Sequence, residues 1–325
     1  MSFRVGFTDA FRLGIDFDLE RERFAAAGIE FEAFDCQSEE DILRQMQDFD
    51  VHILVAAPYT KRVLEGLPQL KGLCRFGIGV DTIDVEAASA LGIKVCNDTG
   101  YCVEEVAMHA MALILDLYRK LTLLDRSIRG GQWRFSAGYE AKNLMGATVG
   151  LLGCGSIARI LIGFLQPFHC RILVYDPFLD AETVAERGGE KVELERLLAE
   201  SDVVSVHCHL TPQTRHMLST EQFRQMKPEA FLVNVSRGGI VDTQALVQAL
   251  EEGRLCGAGL DVHEEEPLGA GHPLRTMEQV ILTPHAAHYS GKAFSTIRIS
   301  MVEQAIAISQ GEIPRYLFNR KQLDL

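Results

Sequence analysis

Three stretches in the second half of the chain carry side chains suited to handling a small acid. Asn234-Val-Ser-Arg237-Gly-Gly239 sets an arginine beside two glycines, where open backbone suits two-pronged capture of a carboxylate. Leu260-Asp261-Val-His-Glu264-Glu265-Glu266-Pro267 follows an apolar run with three carboxylates, and the proline fixes the direction of the last. Leu282-Thr-Pro-His285 ends another apolar run, with a proline setting the approach to a histidine. Alone, an acidic run is ordinarily a solvated loop, and a single arginine or histidine is more often solvated or structural than reactive. Together the three residue types form an apparatus for interconverting a ketone and an alcohol. Histidine exchanges a proton near neutral pH, and a neighbouring carboxylate favours the imidazolium and fixes its tautomer. Arginine holds the substrate's carboxylate and polarises the adjacent carbonyl. The constellation therefore points to oxidation and reduction of 2-hydroxy and 2-keto acids.

That chemistry needs a hydride donor, and the middle of the chain supplies a place for one. Residues 147–152 read as a short apolar strand, followed by Gly153-Cys-Gly155-Ser156-Ile157-Ala158 and an apolar helix through 168. Gly153 permits the tight turn, Gly155 lets a pyrophosphate approach the backbone, and small Ala158 lets helix and strand pack closely. The free N–H groups at the helix start, at Ser156 and Ile157, face the phosphates. A second strand, 171–175, ends in Asp176, an acid that accepts both ribose hydroxyls of an adenosine and repels a 2′-phosphate. Pro177-Phe-Leu179 brings no cation to offset that repulsion, so NAD is expected over NADP. Cys154 reads as a tolerated small side chain in the turn.

The elements around these motifs alternate in type. In the first hundred residues, strands are expected at 4–8, 29–34, 51–56, 72–76 and 93–96, with helices at 19–27, 39–47 and 85–91. From 101 to 129 the pattern turns helical and long, then meets the loop Gly130-Gly-Gln-Trp133. Beyond Asp176, strands are expected at 203–207, 230–235, 257–262 and 280–283. Helices are expected at 194–200, 220–225 and 243–252, with a last one over 292–310. Repeated βα alternation predicts an α/β protein with doubly wound parallel sheets. The reactive residues then fall at C-terminal strand ends, where ligands collect in such sheets.

Composition agrees with this class. A length of 325 residues suggests about two domains, and 47% hydrophobic residues suffice for real cores. A net charge of −13 argues against nucleic-acid or anionic-membrane partners. No secretory signal opens the chain, and the longest apolar helix candidate, 106–117, is too short to span a bilayer. The 8 cysteines lack C-x-x-C or metal-ligand spacing and read as reduced thiols of a cytoplasmic protein. His207 and His209 fall on one strand face, but no third ligand lies nearby, so no metal is expected.

The chain resembles the D-isomer-specific 2-hydroxyacid dehydrogenases, the family of D-lactate and D-3-phosphoglycerate dehydrogenases and glyoxylate/hydroxypyruvate reductases. The matching motifs include Asp202-Val-Val-Ser-Val-His207, Asn234-Val-Ser-Arg-Gly-Gly-Ile-Val-Asp242, Gly257-Ala-Gly-Leu-Asp-Val262 and Thr283-Pro-His285. Phe76-Gly77-Ile78-Gly79-Val-Asp81 resembles the family's substrate loop, whose backbone N–H groups face the bound acid, while the first seventy residues match only in architecture. The resemblance implies that Arg237 binds and polarises substrate, His285 is the acid/base and Glu266, immediately before the proline, is its partner. It places Asp261 near the nicotinamide and Thr211 in a cofactor-side loop. It also implies a Rossmann cofactor domain at 101–291 inserted into a discontinuous flavodoxin-like substrate domain, 1–100 and 292–325. The helical connector would be the surface of a homodimer.

Departures from the family's pattern bound what can be carried over. Val106-Ala-Met108-His109 has methionine where the family usually places glutamate, and His209 replaces a common proline. His288 falls three residues beyond His285, where the family varies its pocket, and is a candidate substrate contact. Val55-Ala-Ala57-Pro-Tyr-Thr60-Lys61 has alanine near the arginine that phosphoglycerate enzymes use for phosphate. The chain stops at Leu325 without the regulatory domain some relatives append. The leading expectation is an NAD-dependent dehydrogenase of a small D-2-hydroxy acid or its 2-keto partner. Alternatives on the same scaffold are phosphite or phosphoglycerate oxidation, the latter weakened by Ala57, and a corepressor-like NAD-binding protein. The identity of the acid rests on a few pocket side chains.

Overall fold

The computed structural model describes residues 2–325 and divides into two compact units. One runs through Cys102 and resumes over Ser290–Leu325; the other is Val103–Tyr289.

The first unit is built on five parallel strands: β1 (Arg4–Phe7), β2 (Glu30–Ala33), β3 (Val51–Leu54), β4 (Gly72–Arg75) and β5 (Lys94–Cys96). Their order is β2-β1-β3-β4-β5. Each lies inside the range expected from sequence and is shorter by one or two residues, lost from one or both ends where the chain leaves the ladder. Successive residues feed opposite cores. Ile53, Cys74 and Cys96 pack with Ile297, Met301, Ala305 and Ile308 of the Gly291–Ser309 helix. Leu54, Leu73 and Val95 pack with Ile42, Met46, Val63 and Leu64 on the other face. Burial on both faces is what makes these strands read as continuous apolar runs. The chain's end closes the β5 edge: Asn319, fully buried, accepts the N–H of Val95 at 2.9 Å and donates to the carbonyl of Ile93 at 2.9 Å.

The second unit carries seven parallel strands: β6 (Thr148–Leu152), β7 (Arg171–Tyr175), β8 (Glu190–Lys191), β9 (Val203–Val206), β10 (Phe231–Asn234), β11 (Gly257–Leu260) and β12 (Val280–Leu282). The order β12-β11-β10-β9-β6-β7-β8 reverses direction of progression at β6, so a crevice opens between the ends of β6 and β9. The same order lays the ends of β10, β11 and β12 side by side. Two short elements escaped the periodicity argument, the Ala181–Glu186 helix and β8. In the first unit the Lys61–Glu65 helix did likewise.

The expected long helical stretch over 101–129 is corrected to two helices, Val103–Arg119 and Leu121–Arg129. Lys120 breaks it with a left-handed φ of 59°. Its ammonium is buried, and its Nζ donates to the carbonyls of Ala137 at 2.8 Å and Tyr139 at 2.7 Å. A buried cation needs such partners, and reaching them turns the chain. Apolar spacing alone carries no sign of that tether. Among the described residues no helix is long and apolar enough to cross a membrane.

Candidate active site

The fingerprint forms a turn open to a ligand. Gly153 has φ 91°, and a Cβ there would lie 2.9 Å from the backbone nitrogen of Cys208, so both conformation and space require glycine. A Cβ at Gly155 would meet nothing within 4 Å, which leaves the backbone approachable. The Ser156–Leu165 helix starts there with no side-chain cap, so its first N–H groups keep their dipoles for an anion. Ala158 is fully buried against the sheet. Asp176 directly follows β7, with its carboxylate accepting the N–H of Cys154 at 3.0 Å and of Phe178 at 3.0 Å. This turn fits a dinucleotide pyrophosphate. One cation was missed from sequence: Arg187, just after the Ala181–Glu186 helix, donates to the carbonyl of Cys154. Cys154 is thus held by the acid on its N–H and by the guanidinium on its C=O. The two charged groups lie eleven positions apart in sequence, so no local motif signals the pairing. Thr211 lies in the exposed loop after β9, its N–H donating to Thr214 Oγ1 at 2.7 Å. His207 Nε2 pairs with Ser205 Oγ at 2.8 Å, and burial lowers its pKa to about 4. His209 stays exposed.

Arg237 follows β10 and is half-buried. Its backbone is fixed by Asn234, which donates from Nδ2 to the Arg237 carbonyl at 2.9 Å and accepts the N–H of Ser236 at 3.0 Å. Its Nη1 donates to the Ser236 carbonyl at 2.8 Å. The following glycine serves close approach rather than openness. A Cβ at Gly238 would stand 2.0 Å from the carbonyl carbon of His263, in the loop after β11. Two backbones therefore touch where the arginine loop meets the acidic run.

The three glutamates of that run have different surroundings. Glu266 Oε2 lies 2.8 Å from His285 Nδ1, and its Oε1 accepts the N–H of His263 at 3.0 Å. Burial pushes the Glu266 carboxyl up, but the bonds from His285 and His263 outweigh it and hold the group below its ordinary value. Glu264 instead meets His216 Nε2 at 2.6 Å and the N–H of Thr243 at 2.8 Å. Glu265 remains exposed. The Glu266–Pro267 peptide is cis.

His285 takes a left-handed backbone, φ 53°, which costs a non-glycine residue about 1–2 kcal/mol and persists only where surroundings enforce it. With Nδ1 on Glu266, Nε2 is the ring nitrogen left to exchange a proton. The His288 ring stands edge-on to it, with centroids 6.1 Å apart. Asp261, expected beside the nicotinamide, is 1% exposed, and its carboxylate accepts from Thr283 Oγ1 and the N–H groups of Ala286 and Ala287. In the first unit, the loop after β4 places Gly77 at φ 148°, its N–H donating to the Arg75 carbonyl at 2.8 Å. Asn97 Nδ2 donates to the Ile78 carbonyl at 2.7 Å, and Gly79 follows in the same loop.

A doubly wound sheet with a dinucleotide turn at its switch point, and arginine, carboxylate and histidine along adjacent strand ends, belongs to the nicotinamide-dependent oxidoreductases. A model of the D-isomer specific 2-hydroxyacid dehydrogenase NAD binding domain matches residues 111–287, and the chain belongs to that family. It is an NAD-dependent oxidoreductase acting on CH–OH donors. A glyoxylate reductase of Korarchaeum cryptofilum is 39% identical over 291 residues, covering 87% of each chain. A solved glyoxylate reductase from Paecilomyes thermophila superposes with a TM-score of 0.88 at 25% identity, covering 98% of this chain and 99% of that one. The D-lactate dehydrogenase of Escherichia coli superposes with a TM-score of 0.80 at 28% identity, covering 97% and 99%.

Proposed function

We propose that this protein reduces a small unphosphorylated 2-keto acid, glyoxylate foremost, to the corresponding 2-hydroxy acid. The observation that carries the reading is the His285–Glu266 contact of 2.8 Å, two strands along the sheet edge from Arg237. Neighbouring strands lie about 4.8 Å apart, so the ends of β10 and β12 are separated by about 10 Å, a span that two long side chains can close on a three-atom acid. Bound NADH supplies the hydride. Arg237 binds the substrate's carboxylate and draws electron density from the neighbouring carbonyl. His285 gives its Nε2 proton to the oxygen that becomes the hydroxyl, and Glu266 steadies the imidazolium before that transfer. Gly153, Gly155, Ser156 and Ile157 cradle the cofactor's phosphates, Asp176 takes the ribose hydroxyls, and Thr211 and Asp261 border the site. His288 is the candidate acid contact on the second unit, and the Gly77-Ile78-Gly79 loop is the candidate on the first. Ala57 brings no charge for a phosphate, which disfavours phosphoglycerate. In this reading the catalytic domain is the first unit, the cofactor domain is the second, and the protein works in the cytoplasm as a homodimer.

A panel of glyoxylate, hydroxypyruvate, pyruvate, phosphite and 3-phosphoglycerate, followed by nicotinamide absorbance, tests the substrate. Glyoxylate should give the highest kcat/KM, with NADH favoured over NADPH; phosphite or phosphoglycerate turnover above that of every keto acid would overturn the proposal. Arg237→Gln should lose about 3 kcal/mol of transition-state binding, roughly 150-fold in kcat/KM, while NADH affinity stays near wild type.

A further inference from the structure

The turn carrying His285 rests mainly on Asp261, with one further bond from the His285 N–H to the Thr283 carbonyl at 3.1 Å. Three successive N–H groups end on Asp261: His285 on the backbone oxygen at 2.7 Å, Ala286 on Oδ1 at 2.8 Å and Ala287 on Oδ2 at 3.0 Å. Whatever fixes Asp261 therefore fixes the strained backbone of His285. Thr283 Oγ1 donates to Asp261 Oδ1 at 2.6 Å, which uses the hydroxyl's only proton. Toward anything else Thr283 can only accept, and His109 Nε2 stands 3.0 Å from that oxygen and 3.5 Å from Asp261 Oδ1. The order of protons follows: His109 Nε2–H to Thr283, and Thr283 O–H to Asp261.

The register of helix on strand delivers His109 to this place. Leu113, on the Val103–Arg119 helix, seats on β11 where a Cβ at Gly259 would come within 3.1 Å of the Leu113 Cβ. His109 lies one helical turn before Leu113, and Asp261 lies two strand residues after Gly259. A turn advances about 5.4 Å and two strand residues about 6.6 Å, so the first contact brings the second into range.

We propose that His109 is a positioning residue for the reaction, acting through Thr283 and Asp261 to aim the His285 imidazole. This rests on the reading of His285 as the proton donor. The test compares His109→Leu, which removes the donor, with His109→Gln, which keeps an N–H at a similar reach. Thr283→Val and Thr283→Ser form a second pair that breaks and keeps the relay. His109→Leu and Thr283→Val should each lower kcat for glyoxylate reduction about tenfold or more, with KM changed less than twofold and the NADH Kd unchanged. His109→Gln and Thr283→Ser should recover most of the loss. A wild-type kcat in His109→Leu and Thr283→Val, or a Gln variant as impaired as the Leu variant, overturns the proposal. His285→Ala separates it from the reading beneath: full turnover in that variant removes His285 as the acid, whereas lost turnover there beside intact His109→Leu activity removes only the role of His109.

Discussion

The 2.8 Å contact with His285 is one of the bonds that set the charge state of Glu266. The carboxyl lies below its ordinary value despite burial, so it stays ionised through neutral pH and loses the pair only well into acid. The ionised carboxylate engages Nδ1 and leaves Nε2 of His285 for the substrate. Turnover should therefore hold through neutral pH and fall well into acid, where Glu266 is protonated and the contact is lost. Glu266→Gln keeps a polar partner and removes the charge. The acid limb of kcat/KM should vanish in that variant, leaving a lower plateau, while His285→Ala should lose about 10²–10⁴-fold in rate at neutral pH. Profiles in both directions decide the matter; an acid limb that stays put in the Gln variant would show that Glu266 is not the group lost there. Glu264 is no ready substitute, because His216 and Thr243 already engage both its oxygens.

Loops that carry single reactive residues must approach closely, and Gly238 is where two of them touch. No unusual φ is required of it, so Gly238→Ala tests space alone. The added methyl would overlap the His263 backbone, pushing Arg237 away from Glu266 and His285. A displacement near 1 Å can cost about 10²-fold in rate, so kcat/KM should fall by about that factor with NADH binding retained. Gly163→Ala is the control: a Cβ there meets nothing within 4 Å, and in the Ser156–Leu165 helix alanine should stabilise by up to about 1 kcal/mol. Equal losses in both variants would sink the argument. Much at this scale was legible beforehand, because period-2 and period-3.6 patterns report burial, and strand ends in a parallel sheet report the site. The glycines beside Arg237 were legible as a feature, but the need for Gly238 was not, since its cause lies in a backbone 25 residues further along the chain. Lys120, Arg187 and the His109–Thr283–Asp261 relay were illegible for the same reason: each is fixed by partners distant in sequence. Composition around a residue carries its local preference, not its tertiary partner.

For the whole molecule, the informative surface is apolar. In a chain of net charge −13, Leu121 and Ile128 are 62% and 49% exposed, and Trp133 and Phe135 are each 90% exposed. All four belong to the Leu121–Arg129 helix and the loop after it. The proposed homodimer would cover these side chains, closed two-fold pairing being the commonest arrangement of two copies. A homodimer built this way should weigh twice the 36.1 kDa of the chain in light scattering. Because its contact is apolar, association should persist at high salt, where ion-pair interfaces weaken. Replacing Leu121 and Ile128 by Glu should shift the protein to monomer at micromolar concentration. Trp133 is the only tryptophan, so fluorescence reads its surroundings without interference. Emission should lie to the blue in the wild-type dimer and move to the red in the Leu121→Glu, Ile128→Glu variant. A 36.1 kDa particle at every concentration, with tryptophan emission already that of an exposed indole, would mean that this surface serves something other than a second copy of the chain.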